Sequence, residues 1–191
     1  IVGSGPAGFF SAYLLQKAGF NTTILERGVD VETRAHKIEL FERAGIFDST
    51  GNYSFGEGGA GTFSDGKLTS RSKRIVLERE FILESYVKAG APEEILYLAH
   101  PHLGSDNLKR IVKQLRQNYL DIGGEIKFSR LVNDIEIRDG KVLSVSTSNE
   151  LYRADYFVFA AGHSAYDTFR MLISNGVSFT TKNFALGCRV E

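Results

Sequence analysis

Ile1-Val2-Gly3-Ser4-Gly5-Pro6-Ala7-Gly8 opens the chain and decides its fold. Residues 3–8 spell Gly-x-Gly-x-x-Gly, preceded by the apolar tail of a strand. Pro6–Lys17 then has helical character, with Ala12, Leu14 and Leu15 expected on its packed side and Gly19 as its stop. In this pattern Gly3 allows the tight turn, Gly5 lets backbone approach a pyrophosphate, and Gly8 lets the helix lie close to the sheet. The helix start offers unpaired amides and a positive dipole end, worth about 0.3–1 kcal/mol per charge, so most affinity must come from hydrogen bonds and burial. Residues 22–25 form a short β-branched and apolar run, and Glu26 closes it. That is roughly the 20-residue distance at which an acid meets a ribose diol. Two carboxylate oxygens suit adjacent hydroxyls, whereas a 2′-phosphate would be repelled. The plainer alternative for Glu26 is a surface carboxylate after a strand.

Outward from the motif, Val31–Ala44 reads as a helix, and residues 51–66 hold too much glycine for regular structure. Helical stretches are expected over residues 75–88, briefly after Pro92, and from a Ser105 cap. In the last of these, Leu108, Ile111, Val112, Leu115 and Tyr119 follow the 3.6-residue period up to Gly123-Gly124. Residues 125–128 form a strand. Residues 131–138 and 141–148 form a hairpin about Asp139-Gly140, a pair suited to positive φ. Residues 156–161 are almost wholly apolar, as expected of a parallel strand buried on both faces. A helix over 165–174 and a strand over 185–190 complete the expectation. The order predicts an α/β fold with a parallel sheet, helical crossovers and a small antiparallel β-meander.

The 191 residues include 42% hydrophobic and 24% charged residues, with 23 basic and 23 acidic side chains. This mixture excludes a mainly disordered chain, and zero net charge argues against a general nucleic-acid binder or a basic membrane-surface protein. No apolar run reaches the roughly 18 residues of a membrane helix. One cysteine excludes an intrachain disulfide and a Cys-rich zinc site; it permits a reducing compartment, and a cytoplasmic location is expected. Four scattered histidines lack metal-ligand spacing, so no metal is expected. The strand before Gly3 is short for a buried strand, and Glu191 ends what reads as another strand. Both ends are therefore expected to continue in the native protein.

The first motif and Glu26-Arg27-Gly28 resemble the opening of FAD-dependent oxidoreductases of the glutathione-reductase-like superfamily. Asp155-Tyr156-Phe157-Val158-Phe159-Ala160-Ala161-Gly162 resembles that superfamily's second signature, with Ala161 where threonine is commoner. Gly56-Glu57-Gly58-Gly59-Ala60-Gly61-Thr62-Phe63-Ser64-Asp65-Gly66-Lys67-Leu68 narrows the match. Together with residues 91–97, 101–104, 162–165 and 185–191, it is similar to a bacterial family labelled NAD(FAD)-utilising dehydrogenases.

This resemblance implies a Rossmann-like FAD/NAD(P)-binding fold. An incomplete FAD-binding domain would span 1–175, with a helical insertion about 71–103, and a second, substrate domain would begin at 176–191. It implies noncovalent FAD, with NAD(P)H a candidate electron donor and a small-molecule substrate of unknown identity. The cofactor-binding candidates are Gly3, Gly5, Pro6, Ala7, Gly8, Glu26, Arg27, Gly58, Gly59, Ala60, Gly61, Thr62, Ala161 and Gly162. Related flavoproteins complete the site with a late Gly-Asp pair, and no such dipeptide occurs here, so these residues alone are expected to be inactive. The alternatives are an NAD(H)- or FAD-binding module without catalysis, and an RNA-modifying flavoenzyme, which the neutral charge disfavours. No catalytic base stands out.

Residues 56–66 are read either as a flexible surface loop or, as the mixing of Phe55 and Phe63 with so many glycines favours, as backbone amides wrapping pyrophosphate and isoalloxazine, with Thr62, Ser64, Asp65 and Lys67 as the polar candidates. Lys67 is read first as a solvated lysine and second as a partner of reduced flavin. His163 is a candidate cofactor contact, set against Ser164 simply capping a helix. His102 is read as a loop residue or an anion contact, and His36 and His100 carry no supporting context. Cys188 is read as a core residue, and Arg71, Lys73 and Arg74 as a solvated basic run.

Overall fold

The computed structural model describes residues 1–64, 66–68, 76–98, 103–183 and 187. Helix α1, Pro6–Lys17, starts at Gly5, with Pro6 in its first turn. Strand β1, Thr23–Leu25, and helix α2, Val31–Ala44, follow. Asp30 caps α2 by accepting from the amides of Glu32 and Thr33, and Gly45 ends it in the left-handed region. A 3-10 turn covers Ala60–Phe63. Helix α3, Val76–Lys88, a 3-10 turn at Glu93–Leu96 and helix α4, Ser105–Asp121, form the helical excursion. The strands β2, Glu125–Lys127, β3, Asp134–Arg138, β4, Lys141–Ser146, and β5, Leu151–Arg153, precede helix α5, Tyr166–Ser174.

The parallel sheet is built around Val2. It forms parallel bridges to Leu25 on one side and Phe159 on the other. β1 in turn pairs in parallel with β2, with Ile24 opposite Ile126. The spatial order is therefore β2, β1, the segment at Val2, and the segment at Phe159. The first two return connections leave Val2 on one side and the third on the other, which places a topological switch point at the carboxyl end of that segment.

Alternation along the strands separates two cores. Ile24 packs with Phe9, Phe10 and Ala12 of α1, Leu83 and Tyr86 of α3, and Ile111, Leu115 and Tyr119 of α4. Val2 and Leu25 pack on the other side with Val132, Ile135, Val145 and Leu172. The meander β3-β4-β5 and α5 thus cover the face opposite α1, giving three layers. The fold is the expected Rossmann-like α/β arrangement with an antiparallel three-stranded sheet beside it. Asp139 and Gly140, at φ 51° and 74°, make the expected two-residue turn. Among the described residues, no helix is long and apolar enough to cross a membrane.

Several local expectations are corrected. Leu14 is 55% exposed, because α1 turns Gly8, Phe9, Phe10 and Ala12 inward instead. Residues 156–161 are not buried on both faces: Tyr156 is 81% exposed, and a single bridge, at Phe159, ties the run to the sheet among the described residues. Phe157 and Phe159 pack against the second core while Ala160 approaches α1, so only part of the run is covered. Gly104, not Ser105, occupies the α4 cap, and Ala165, not Ser164, precedes α5. A register shift between Glu136 and Ile137 leaves Ile137 37% exposed while Ile135 is buried. Of the strand expected over 185–190 only Gly187 is described; the rest, with Cys188, lies outside the described residues, as do Asp65, Arg71, Lys73, Arg74, His100 and His102.

Candidate functional site

A cleft opens at the switch point, where three backbone segments meet. Gly3, Gly5, Pro6 and Ala7 line it from the α1 turn, Gly59 and Ala60 from the glycine loop, and Ala161 and Gly162 from the end of the Phe159 segment. Glu26 and Arg27 line it from the end of β1. The turn is shaped by close approach. A Cβ on Gly3 would overlap the carbonyl of Ala160, and one on Gly8 would overlap the carbonyl oxygen of Gly3. Gly8 therefore lies behind the cleft, where it brings α1 against the sheet. The α1 terminus has no side-chain cap, which leaves its first amides for a ligand.

Gly58, Gly61 and Thr62 are not among the described lining residues. The Gly58 amide donates to the Ser4 carbonyl at 3.2 Å, so this part of the loop packs behind the turn. The Thr62 hydroxyl is buried there without a hydrogen-bond partner among the described residues. His163 and Ser164 do line the cleft, with Ser164 Oγ 3.2 Å from His163 Nδ1. Lys67 and His36 are exposed and are not described in the lining.

Glu26 is only 4% exposed, and its carboxylate is densely engaged. Oε2 accepts from the Ser4 amide at 2.8 Å and the Ser4 hydroxyl at 2.7 Å. Oε1 accepts from the amides of Gly28 at 2.8 Å and Gly56 at 3.2 Å. One side chain thus ties together the α1 turn, the exit of β1 and the glycine loop. Its reading as a plain surface carboxylate does not match this burial.

The glycine loop is held from beneath by Arg34, which is fully buried. Its guanidinium donates to the carbonyls of Asn52, Gly56, Glu57 and Gly59 at 2.9, 3.3, 2.7 and 2.8 Å, and to Tyr53 O at 3.3 Å. It also stacks over Phe63, 4.7 Å from the ring centre. Burial pushes the Arg34 pKa down to about 10, against the opposing pull of Glu26 and Glu57, so it remains a cation at neutral pH.

Glu57, also buried, accepts from the Val31 amide at 2.7 Å and from Arg116 Nη1 at 3.0 Å. Burial raises its pKa to about 7, more than Arg116 and the Val31 amide lower it, while Asp30 and Glu32 add to the rise. The ordinary value is 4.5, so the stability contributed by this group is fully present below about 4.5 and is lost as pH rises through about 7. Glu57→Gln should remove this titration. Urea denaturation across that window should show the parent protein losing stability with rising pH more steeply than the variant. Parallel slopes would show that the carboxyl titrates normally.

At the rim, Arg27 forms a two-pronged pair with Asp167, at 2.8 Å for both contacts, and lies 3.9 Å above the Phe55 ring. The Arg27 hydrogen bond holds the Asp167 carboxyl below the usual range. Arg130, another lining residue, pairs with Glu150 at 3.0 Å. Ser4, Phe55, Gly56, Arg130 and Val132 also line the cleft. Of these, Gly56 lies in the glycine loop expected to wrap the ligand, whereas Ser4, Phe55, Arg130 and Val132 are not among the expected site residues. Val31, Arg34 and Ile38, spaced along one face of α2 and all buried, are the one sequence signal that could have revealed Arg34.

Residues 1–61 match the family described as NAD(P)-binding Rossmann-like domain. An uncharacterized protein of Clostridium beijerinckii (strain ATCC 51743 / NCIMB 8052) is 42% identical over 191 residues, covering 100% of this chain and 36% of that protein. The chain thus spans little more than a third of that curated relative. Solved structures similar to it include glycine oxidase from Bacillus cereus ATCC 14579, with 16% identity and a TM-score of 0.46 over 92% of this chain and 58% of the other. Glycine oxidase from Geobacillus kaustophilus gives 16% and 0.46 over 93% and 57%, and L-proline dehydrogenase from P. horikoshii 13% and 0.40 over 80% and 49%.

Proposed function

We propose that the protein is an FAD-dependent oxidoreductase that holds its flavin dinucleotide noncovalently in this cleft. The observation that carries the reading is the meeting of three side-chain-poor backbone segments, the turn at 3–7, the loop at 59–60 and the strand end at 161–162, over an uncapped helix start. The cradle fits a pyrophosphate: the Cβ position on Gly5 meets only Gly59 Cα, at 3.7 Å, so backbone is what a ligand would face. The α1 turn would hold the pyrophosphate, Glu26 the adenosine ribose, and residues 59–60 and 161–162 the rest of a long ligand. When bound, FAD supplies a hydride acceptor at its N5 atom. The chain's own part is to bind and orient the ring system and exclude water from it. NAD(P)H is the proposed donor, with a small organic molecule as final substrate.

A second reading, an NAD(P)(H)-binding domain, is favoured by the match of residues 1–61. An absorbance spectrum of the full-length protein separates the two. An oxidised flavin spectrum that bleaches on anaerobic addition of NADH or NADPH supports the flavoenzyme. A colourless protein that binds the nicotinamide dinucleotide supports the second reading and overturns the first.

A further inference from the structure

We propose that the Ser4 hydroxyl is a placeholder for a ribose hydroxyl, and that a diol-bearing nucleotide binds by displacing it from Glu26. The inference rests on the dinucleotide reading of the cleft and specifies how its sugar is admitted. A carboxylate offers about four lone-pair positions. At Glu26 four donors already point at the two oxygens, from Ser4 N, Ser4 Oγ, Gly28 N and Gly56 N. Three are backbone amides, fixed by the α1 turn, the β1 exit and the glycine loop, so none can leave unless the chain moves. The Ser4 O–H alone sits on a freely rotating bond, and its 2.7 Å contact is the shortest of the four.

Both residues line the cleft, so a ligand lying in it meets the carboxylate edge that the Ser4 hydroxyl covers. A ribose hydroxyl donating to Oε2 therefore exchanges one O–H···O bond for another, and Ser4 turns to a new partner. Ser4 becomes a positioning residue with a second role. In the empty protein it keeps the buried carboxylate satisfied, and in the complex it sets how strongly the sugar's hydroxyls count toward affinity.

The test uses the full-length protein, its Ser4→Ala variant and its Ser4→Cys variant, which keeps the side-chain volume with a weaker donor. Each is titrated calorimetrically with ADP and with 2′,3′-dideoxy-ADP. Ser4→Ala should bind ADP about 3- to 10-fold more tightly than the parent, the worth of one hydrogen bond no longer displaced, while dideoxy-ADP is unchanged. Ser4→Cys should move the same way by less. A purely structural serine would shift both nucleotides together, and a serine that contacts the ligand directly would give weaker ADP binding on removal; either result overturns the proposal. If the parent binds neither ADP nor FAD, the dinucleotide reading itself fails and takes this inference with it.

Discussion

Gly5→Val is expected to abolish binding of the dinucleotide proposed for the cleft while leaving the fold nearly intact. Gly5 has φ −66° and ψ 176°, a conformation open to any residue, so glycine is not there to make the turn. A Cβ would find Gly59 Cα at 3.7 Å and nothing nearer, an ordinary contact. The added γ-methyls of valine, however, would crowd the cleft side of the turn, where the proposed pyrophosphate would reach backbone amides. Bound flavin in the purified variant should fall to under about a tenth of the parent level. The ligand-free stability should stay within about 1 kcal/mol, as for a substitution that disturbs no buried contact. Unchanged flavin content in a well-folded Gly5→Val protein would remove the pyrophosphate from this turn. Gly8 could not serve for this test, because its Cβ would strike the Gly3 carbonyl and damage the packing of α1 as well.

Arg34→Met should give the largest loss of stability of any single change considered, about 3–5 kcal/mol, the usual consequence of removing one member of a buried charge cluster. Methionine fills much of the volume but leaves the carbonyls of Asn52, Tyr53, Gly56, Glu57 and Gly59 without the donor that gathers them. It also leaves the buried carboxylates of Glu26 and Glu57 without that neighbouring cation. Lysine is no substitute, because a single ammonium cannot spread its donors over five carbonyls. Urea denaturation monitored by far-ultraviolet circular dichroism measures the effect, with the midpoint shifted and the slope unchanged. A loss below about 1 kcal/mol would mean that something else holds the loop. Because that loop is one wall of the cleft, dinucleotide affinity should fall in the same variant.

Local features of the chain announced themselves. The glycine spacing located α1 and its turn, the Asp139-Gly140 pair located the hairpin, and the periodic apolar residues of α4 located its buried face. These signals are visible because they depend on neighbours within a few positions. The spacing of Glu26 placed it beside the turn, yet two of its partners, Gly28 and Gly56, are ordinary amides, and Gly56 is brought in from a distant loop. Arg34 was harder still. A charged residue in a helix of mixed charge suggests solvent, and only the convergence of loop carbonyls makes its burial tolerable. The apolar run at 156–161 misled in the opposite direction, since composition reports that a strand can be covered and not whether anything covers it.

The place of Val2 has a consequence for how the molecule comes into being. It hydrogen-bonds to Val158 and Ala160 on one flank, while Gly3 and Leu25 close the other. A chain leaving the ribosome presents Val2 and β1 long before Phe159 is synthesised. Throughout that interval the nascent protein carries an apolar rung with one edge bare, the kind of template on which chains aggregate. Polypeptides halted before Phe157 should therefore depend on chaperones in a way the finished domain does not.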